Sequence, residues 1–293
     1  MDVYIDDSGL IWDAALNQTN AGNNNNKFYR VQLLKDKFKD QYWTWTRWGR
    51  VGELGQGAML GDGSLNSAKT AYEKKFKDKS GLKWEDRLQA PKSGKYAFLE
   101  RNYEDSDDEE EKPQKAKKEA IEEERKPVES TLPQPVQSLM SFIFNQQNFL
   151  NTMAQMSYDA KKLPLGKLSK RTLHSGFEIL KELSELISDP SLATSKYGQS
   201  FGNATEELSN RYFTMIPHDF RRNRPPVINH NDMVKKEVDL LENLTDMEIA
   251  NAIVKESKLD DNEVHFLDKQ FQGLGMQEMT PCEFYPTWTM TQN

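Results

Sequence analysis

The chain has 293 residues, a net charge of −7 and a mean hydropathy of −0.83, with 36% of its residues apolar. That length leaves room for about two domains, and so polar a composition points to ordered modules joined by an unpacked segment. The single cysteine, Cys282, excludes an internal disulfide framework and any zinc site built on paired cysteines, and no apolar run approaches the roughly 18 residues needed to span a membrane.

Charge is segregated along the chain. Residues 27–101 carry 17 Lys/Arg against 9 Asp/Glu, whereas 102–129 carry 6 against 12. A basic module inside an acidic chain is a candidate for nucleic acid. Segments 3–5, 29–34, 42–47 and 96–99 read as short strands, with 23–26 and 55–64 as loops. A helix is predicted over 66–79, capped by Asn66, with Ala68, Ala71, Tyr72, Lys75 and Phe76 on its inner face. The first module is therefore a small α+β unit, residues 1–103.

The run Trp43-Thr44-Trp45-Thr46-Arg47-Trp48-Gly49-Arg50 packs three tryptophans and two arginines into eight residues. Alternation puts Trp43 and Trp45 on one strand face, where core packing is their expected role. The Trp48-Gly49-Arg50 triplet falls where the strand ends: an indole to stack, a glycine for close backbone approach and a forked guanidinium for phosphate.

Residues 104–129 read as a charged, disordered linker whose acidic run repels itself. From Leu132 the pattern turns helical: Val136, Leu139, Met140, Ile143 and Phe144 follow an i, i+3, i+4, i+7, i+8 spacing after a proline pair. Further amphipathic helices are predicted at 170–188, 206–215 and 232–257, the last broken near Thr245. The fold class is thus multidomain, a small α+β module followed by an all-α bundle over 130–258 large enough to bury its own core. Histidines 174, 218, 230 and 265 are scattered without metal-ligand spacing, and His218 reads as a structural turn residue.

Several separated motifs resemble one family. Leu16-Asn17-Gln18-Thr19-Asn20, the asparagine run before Lys27-Phe28-Tyr29, Trp48-Gly49-Arg50-Val51-Gly52, Lys83-Trp84-Glu85-Asp86-Arg87 and Gly94-Lys95-Tyr96 resemble the WGR domain of DNA-dependent poly(ADP-ribose) polymerases that lack zinc fingers. The runs from Leu132 to Gln137, Leu163 to Lys170, Leu208 to Phe213 and Ile216 to Phe220 resemble their helical regulatory domain.

The resemblance implies a nuclear protein that binds damaged DNA with 5′-phosphorylated ends. It implies that Trp48, Gly49 and Arg50 meet the DNA end, with Asn26, Lys27 and Tyr96 near the break; for those last three a solvated loop or plain packing is the alternative. Arg50 would also bridge to the regulatory domain, where Asp239 and Glu242 match positions that help exclude NAD until DNA binds. Lys79 and Trp84 are weaker contacts, more simply a solvated lysine and a core indole. In the family an NAD-binding transferase domain follows the bundle. Here residues 259–293 read as the approach to that domain followed by a divergent tail, so the chain is expected to hold no cofactor and to be inactive alone. The linker, with Ser106 and its acids, is a candidate acceptor of ADP-ribose from a catalytic enzyme, and Lys112–Lys118 a candidate nuclear-import segment. Two alternatives stand beside this reading: a non-catalytic scaffold for protein partners, and a truncated gene product of an active transferase.

Overall fold

The computed structural model describes residues 1–101, 129–145, 148, 151, 168–259 and 264–275; most of the predicted linker with Ser106, residues 163–167 of the helical-domain motif and the tail from 276 lie outside them. Packing divides the chain into two compact units, Met1–Glu110 with Gln147–Asp246, and Glu111–Gln146 with Met247–Asn293. Among the described residues no helix is long and apolar enough to cross a membrane.

The first unit is organised by an antiparallel sheet of β1 (Asp2–Val3), β2 (Asp13–Asn20), β3 (Asn25–Lys35), β4 (Tyr42–Arg50), β5 (Gln56–Gly63) and β6 (Ala97–Leu99), in the order β5-β4-β3-β2-β6 with β1 paired to β3. Helix α1 (Leu65–Ser80) covers one face. Its true cap is Ser64, whose extended backbone lets its hydroxyl accept the Ser67 N–H at 3.2 Å; Asn66, the predicted cap, already lies inside the helix. Ala68, Tyr72, Phe76 and Ser80 recur every four residues and are buried, with Ala71 and Lys75 half-buried beside them. Under them sit Trp12, Leu16, Tyr29, Val31, Leu33 and Trp84, the Trp84 ring edge-on to Tyr72 and Phe76 at 5.0 Å.

Trp43 and Trp45 are half-buried on the face away from α1, while Thr44 and Thr46 point inward. The inward positions must be small because α1 approaches closely enough for the Thr44 hydroxyl to donate to the Ala68 carbonyl at 2.7 Å. Residues 56–63, predicted as loop, form edge strand β5, because pairing with β4 from Trp48–Gln56 to Tyr42–Gly63 overrides their glycine content. The asparagine run turns only as far as Asn24; Asn25 and Asn26 already belong to β3. Strand β2 was not predicted at all: both its faces are covered, so its burial does not alternate.

The other sheet face meets the helices. α3 (Lys170–Ser188), α4 (Leu192–Ser195), α5 (Phe201–Met215) and the start of α6 (Asn231–Leu259) do not bury a core alone. Ala15, Phe28, Val51 and Leu99 of the sheet module lie in the same buried cluster as Leu180, Leu183, Leu208, Tyr212, Phe213 and Leu241. α3 spans the predicted residues and is capped by Ser169. α5 begins at Phe201, earlier than predicted, because Ser200 caps it. The predicted break at Thr245 is absent: its hydroxyl bonds back to the Leu241 carbonyl at 2.9 Å within a continuous helix.

In the second unit α2 (Gln134–Ile143) starts with a proline in its first turn and buries Met140, leaving Leu139 and Phe142 exposed. α7 (Phe266–Gly273) carries Asp268, which accepts from the Ser130 hydroxyl and from both the backbone N–H and hydroxyl of Thr131, at 2.8 and 2.7 Å. Burial raises the Asp268 pKa, but these hydrogen bonds outweigh it and the net direction is down.

Candidate nucleic-acid interface

Trp48 lies directly opposite Tyr29 across the β3–β4 ladder, and their rings stack at 6.0 Å with planes 18° apart. Tyr96 stands edge-on to Tyr29 at 6.3 Å, and the Lys79 ammonium lies 4.8 Å over the Tyr29 ring. Lys79 is placed by the end of α1, whose Lys79 carbonyl accepts the Tyr96 N–H at 3.2 Å. A shallow pocket of about 220 Å³ opens here, lined by Tyr29, Thr46, Trp48, Lys75 and Lys79 among others. Burial pushes the Tyr29 and Tyr96 phenols up, so both remain protonated donors at neutral pH. A flat indole half-open to solvent, flanked by two lysines, can stack on a base pair and hold phosphate beside it.

Gly49 is required by the strand geometry. A Cβ there would lie 2.8 Å from the Gly55 Cα and 3.2 Å from the Phe28 ring, because the turn after β4 folds back over it. Gly49→Ala should therefore displace that turn and cost about 2 kcal/mol, read as a lower urea midpoint at unchanged m-value.

Arg50 is fully engaged. Its guanidinium donates to the Asn24 carbonyl and side chain, both at 3.0 Å, to the Asn223 carbonyl at 2.7 Å, and to the Arg221 carbonyl. It thus ties the end of β4 to the segment after α5. Lys27, its register partner on β3, is exposed. Asn26 is fully buried: its amide donates to the His218 carbonyl at 2.7 Å and its oxygen accepts from Thr19 at 3.1 Å. The Asn26 side chain is thus committed to the joint between sheet and helices.

The joint is built the same way along β2. The Asn17 amide donates to the carbonyls of Phe213 and Thr214 at 3.0 Å, and the Thr19 hydroxyl shares its one proton between Asn26 and the Phe213 carbonyl, each at 3.1 Å, so the sheet satisfies the carbonyls that the end of α5 leaves open. Behind it, His218 Nε2 lies 3.0 Å from Glu237, which also accepts the Tyr212 hydroxyl at 3.0 Å. Asp239, half-buried, and Glu242, exposed, follow on the same helix α6. The Trp48-Gly49-Arg50 triplet, predicted where the strand ends, stands at the end of β4, with Lys27 opposite Arg50 and Tyr96 nearby. Sequence reasoning missed Tyr29, the joint made by Asn17 and Thr19, and the buried Glu237. Tyr29 was visible only as one aromatic in a strand, since the register that sets it against Trp48 depends on the fold.

An antiparallel sheet and one helix, bearing the Trp-Gly-Arg strand end and packed against a bundle of helices, define a WGR-type module joined to a helical domain. Residues 12–91 match the WGR domain family model, and residues 130–271 that of the poly(ADP-ribose) polymerase regulatory domain. The human protein mono-ADP-ribosyltransferase PARP3 is 39% identical over 279 residues, covering 91% of this chain and 49% of the relative. Human poly [ADP-ribose] polymerase 2 is 39% identical over 266 residues (90% and 43%), and poly [ADP-ribose] polymerase 2 of Arabidopsis thaliana 36% over 250 (83% and 37%). The chain belongs to the poly(ADP-ribose) polymerase family. It spans less than half the length of each of these relatives.

Proposed function

We propose that this chain is the break-sensing and regulatory portion of a nuclear poly(ADP-ribose) polymerase acting in the DNA damage response. The observation that carries the reading is the stacked Trp48–Tyr29 ledge with Lys75 and Lys79, two residues from the Arg50 clamp that ties the sheet to the bundle. A DNA end with a 5′ phosphate would stack on Trp48, with Lys27 and Tyr96 bordering it. Strain at the ledge would then pass through Arg50 and the Asn17–Thr19 contacts into α5. Asp239 and Glu242, one turn apart on α6, would give the bundle a negative face that repels the anionic pyrophosphate of NAD until the bundle loosens. The ADP-ribose transfer named in the relatives is carried over here as part of this proposal.

The test is a competition experiment against a labelled, blunt, 5′-phosphorylated duplex. An unlabelled duplex with open ends should compete far better than the same duplex closed by hairpins at both ends. Trp48→Ala should weaken end binding about ten- to a hundredfold, the range expected for one lost base–aromatic stack. Equal competition by open and closed duplexes would remove the end-sensing reading.

A further inference from the structure

The segment between α5 and α6 carries three arginines in four positions, Arg221-Arg222-Asn223-Arg224, ahead of Pro225-Pro226. Arg224 turns back on the sheet module, its Nε donating to the Ala21 carbonyl at 2.6 Å and Nη2 to Gly22 at 3.4 Å. Arg221 and Arg222 do not. Both are exposed, and among the described residues neither guanidinium makes an ion pair or a hydrogen bond.

Arg221 also holds a left-handed backbone, φ 51°, fixed by its N–H bond to the Asp219 carboxylate at 2.8 Å. That conformation costs a residue with a Cβ roughly 1 kcal/mol and costs glycine almost nothing. A turn that would form more easily with glycine therefore presents a charged side chain to solvent.

The turn has a fixed address. Arg50 binds the carbonyls of Arg221 and Asn223, so the arginines stand where β4 ends. Arg50 follows Trp48 by two positions, about 7 Å along the strand, and alternation starts both side chains from the same face. Exposed Lys27 lies opposite Arg50. The nearest acid in the turn, Asp219, already accepts the Arg221 N–H and abuts Gly52, where a Cβ would come within 2.4 Å of it. The rim of the aromatic ledge is thus edged by three cations, two of them supplied by the helical domain.

We infer that the Arg221–Arg222 turn of the helical domain is a second phosphate-binding element, gripping the backbone of the same DNA end that stacks on Trp48. This rests on the break-sensing reading above. It adds that DNA touches the regulatory domain directly, so a bound end is held by both halves of the joint.

The experiment is a salt titration of 5′-phosphorylated duplex binding by fluorescence anisotropy, on the full chain. Combined Arg221→Gly and Arg222→Ala should weaken binding about tenfold at about 100 mM salt and flatten the log–log salt slope by about two, since each lost phosphate contact removes about one unit. Arg222→Ala alone should flatten it by about one, which separates charge loss from any relief at the left-handed position. Lys37→Ala with Lys39→Ala, a pair of exposed lysines in the turn at the other end of β3 and β4, should leave affinity and slope unchanged. An unchanged slope in the arginine variants, with Trp48→Ala still impaired, overturns this inference and leaves the ledge reading intact. Equal flattening in the lysine pair overturns it as well, by showing a response to net charge alone. A wild-type chain that binds no duplex fails both readings together.

Discussion

Glu237→Ala should lower the melting temperature of the first unit by about 10 °C at pH 7. Glu237 is 9% exposed and His218 1%, so the carboxylate is the buried partner of an equally buried ring. The ring's other nitrogen, Nδ1, lies 2.8 Å from the Ile216 carbonyl, which can only accept, so Nδ1 carries a proton. Removing the carboxylate strands this ring and the Tyr212 hydroxyl, and breaking a buried pair from one side costs about 3–5 kcal/mol. At about 2–4 °C per kcal/mol for a unit of this size, the shift follows.

The same pair gives the joint an acid sensitivity. Burial raises the Glu237 pKa, but the His218 charge and the His218 and Tyr212 hydrogen bonds more than offset it, and the folded-state value lies below the ordinary glutamate range. A carboxyl depressed on folding stabilises the native state above its unfolded pKa, near 4.3, and that contribution is lost as pH falls through the folded value. Stability measured from about pH 6 down to 3 should therefore fall more steeply in the wild type than in Glu237→Gln, which keeps a hydrogen-bond acceptor for Tyr212 and has nothing to titrate. Parallel curves would show that other carboxylates dominate acid unfolding.

What could be read from the sequence was whatever rests on local pattern. Helix α3 was legible because its apolar stripe and Ser169 cap are local signals, and the Trp48-Gly49-Arg50 end because the triplet itself is rare. Strand β2 was not, since Asn17 and Thr19 occupy buried positions that only the open carbonyls of α5 make favourable. Trp43 and Trp45 were misplaced for a related reason. Size alone suggests that tryptophans face the core, yet the close approach of α1 reserves those positions for Thr44 and Thr46. The burial of Asn26 was not legible either, because the His218 carbonyl that its amide meets lies 192 positions away in the chain. Glu237 carried no local sign of burial, because its partners come from residues 19 and 25 positions earlier in the chain.

Phe28→Ala should destabilise sheet and helices together, by about 3–5 kcal/mol. Phe28 is 1% exposed and belongs to β3, yet its buried cluster contains Leu208, Phe213 and Leu241 of the helices. Modules that each buried their own core would melt separately, and this substitution would move only the sheet's transition. A shared core predicts one transition in which both move. Two probes separate the cases. Five of the six tryptophans (Trp12, Trp43, Trp45, Trp48 and Trp84) lie in the sheet module, so tryptophan fluorescence reports it, while far-ultraviolet circular dichroism at 222 nm is dominated by the helices. Coincident midpoints that shift equally in Phe28→Ala, with Phe142→Ala on the exposed face of α2 as a near-neutral control, support the shared core. A fluorescence midpoint that falls while the helical signal stays in place would show that the two halves fold apart. The outcome bears on signalling as well as stability. Under the proposed function, a sensor that shares its core with its gate would need no separate wire, because loosening at the Trp48 end of the sheet would also disturb Phe28 in the cluster it shares with Phe213 and Leu241.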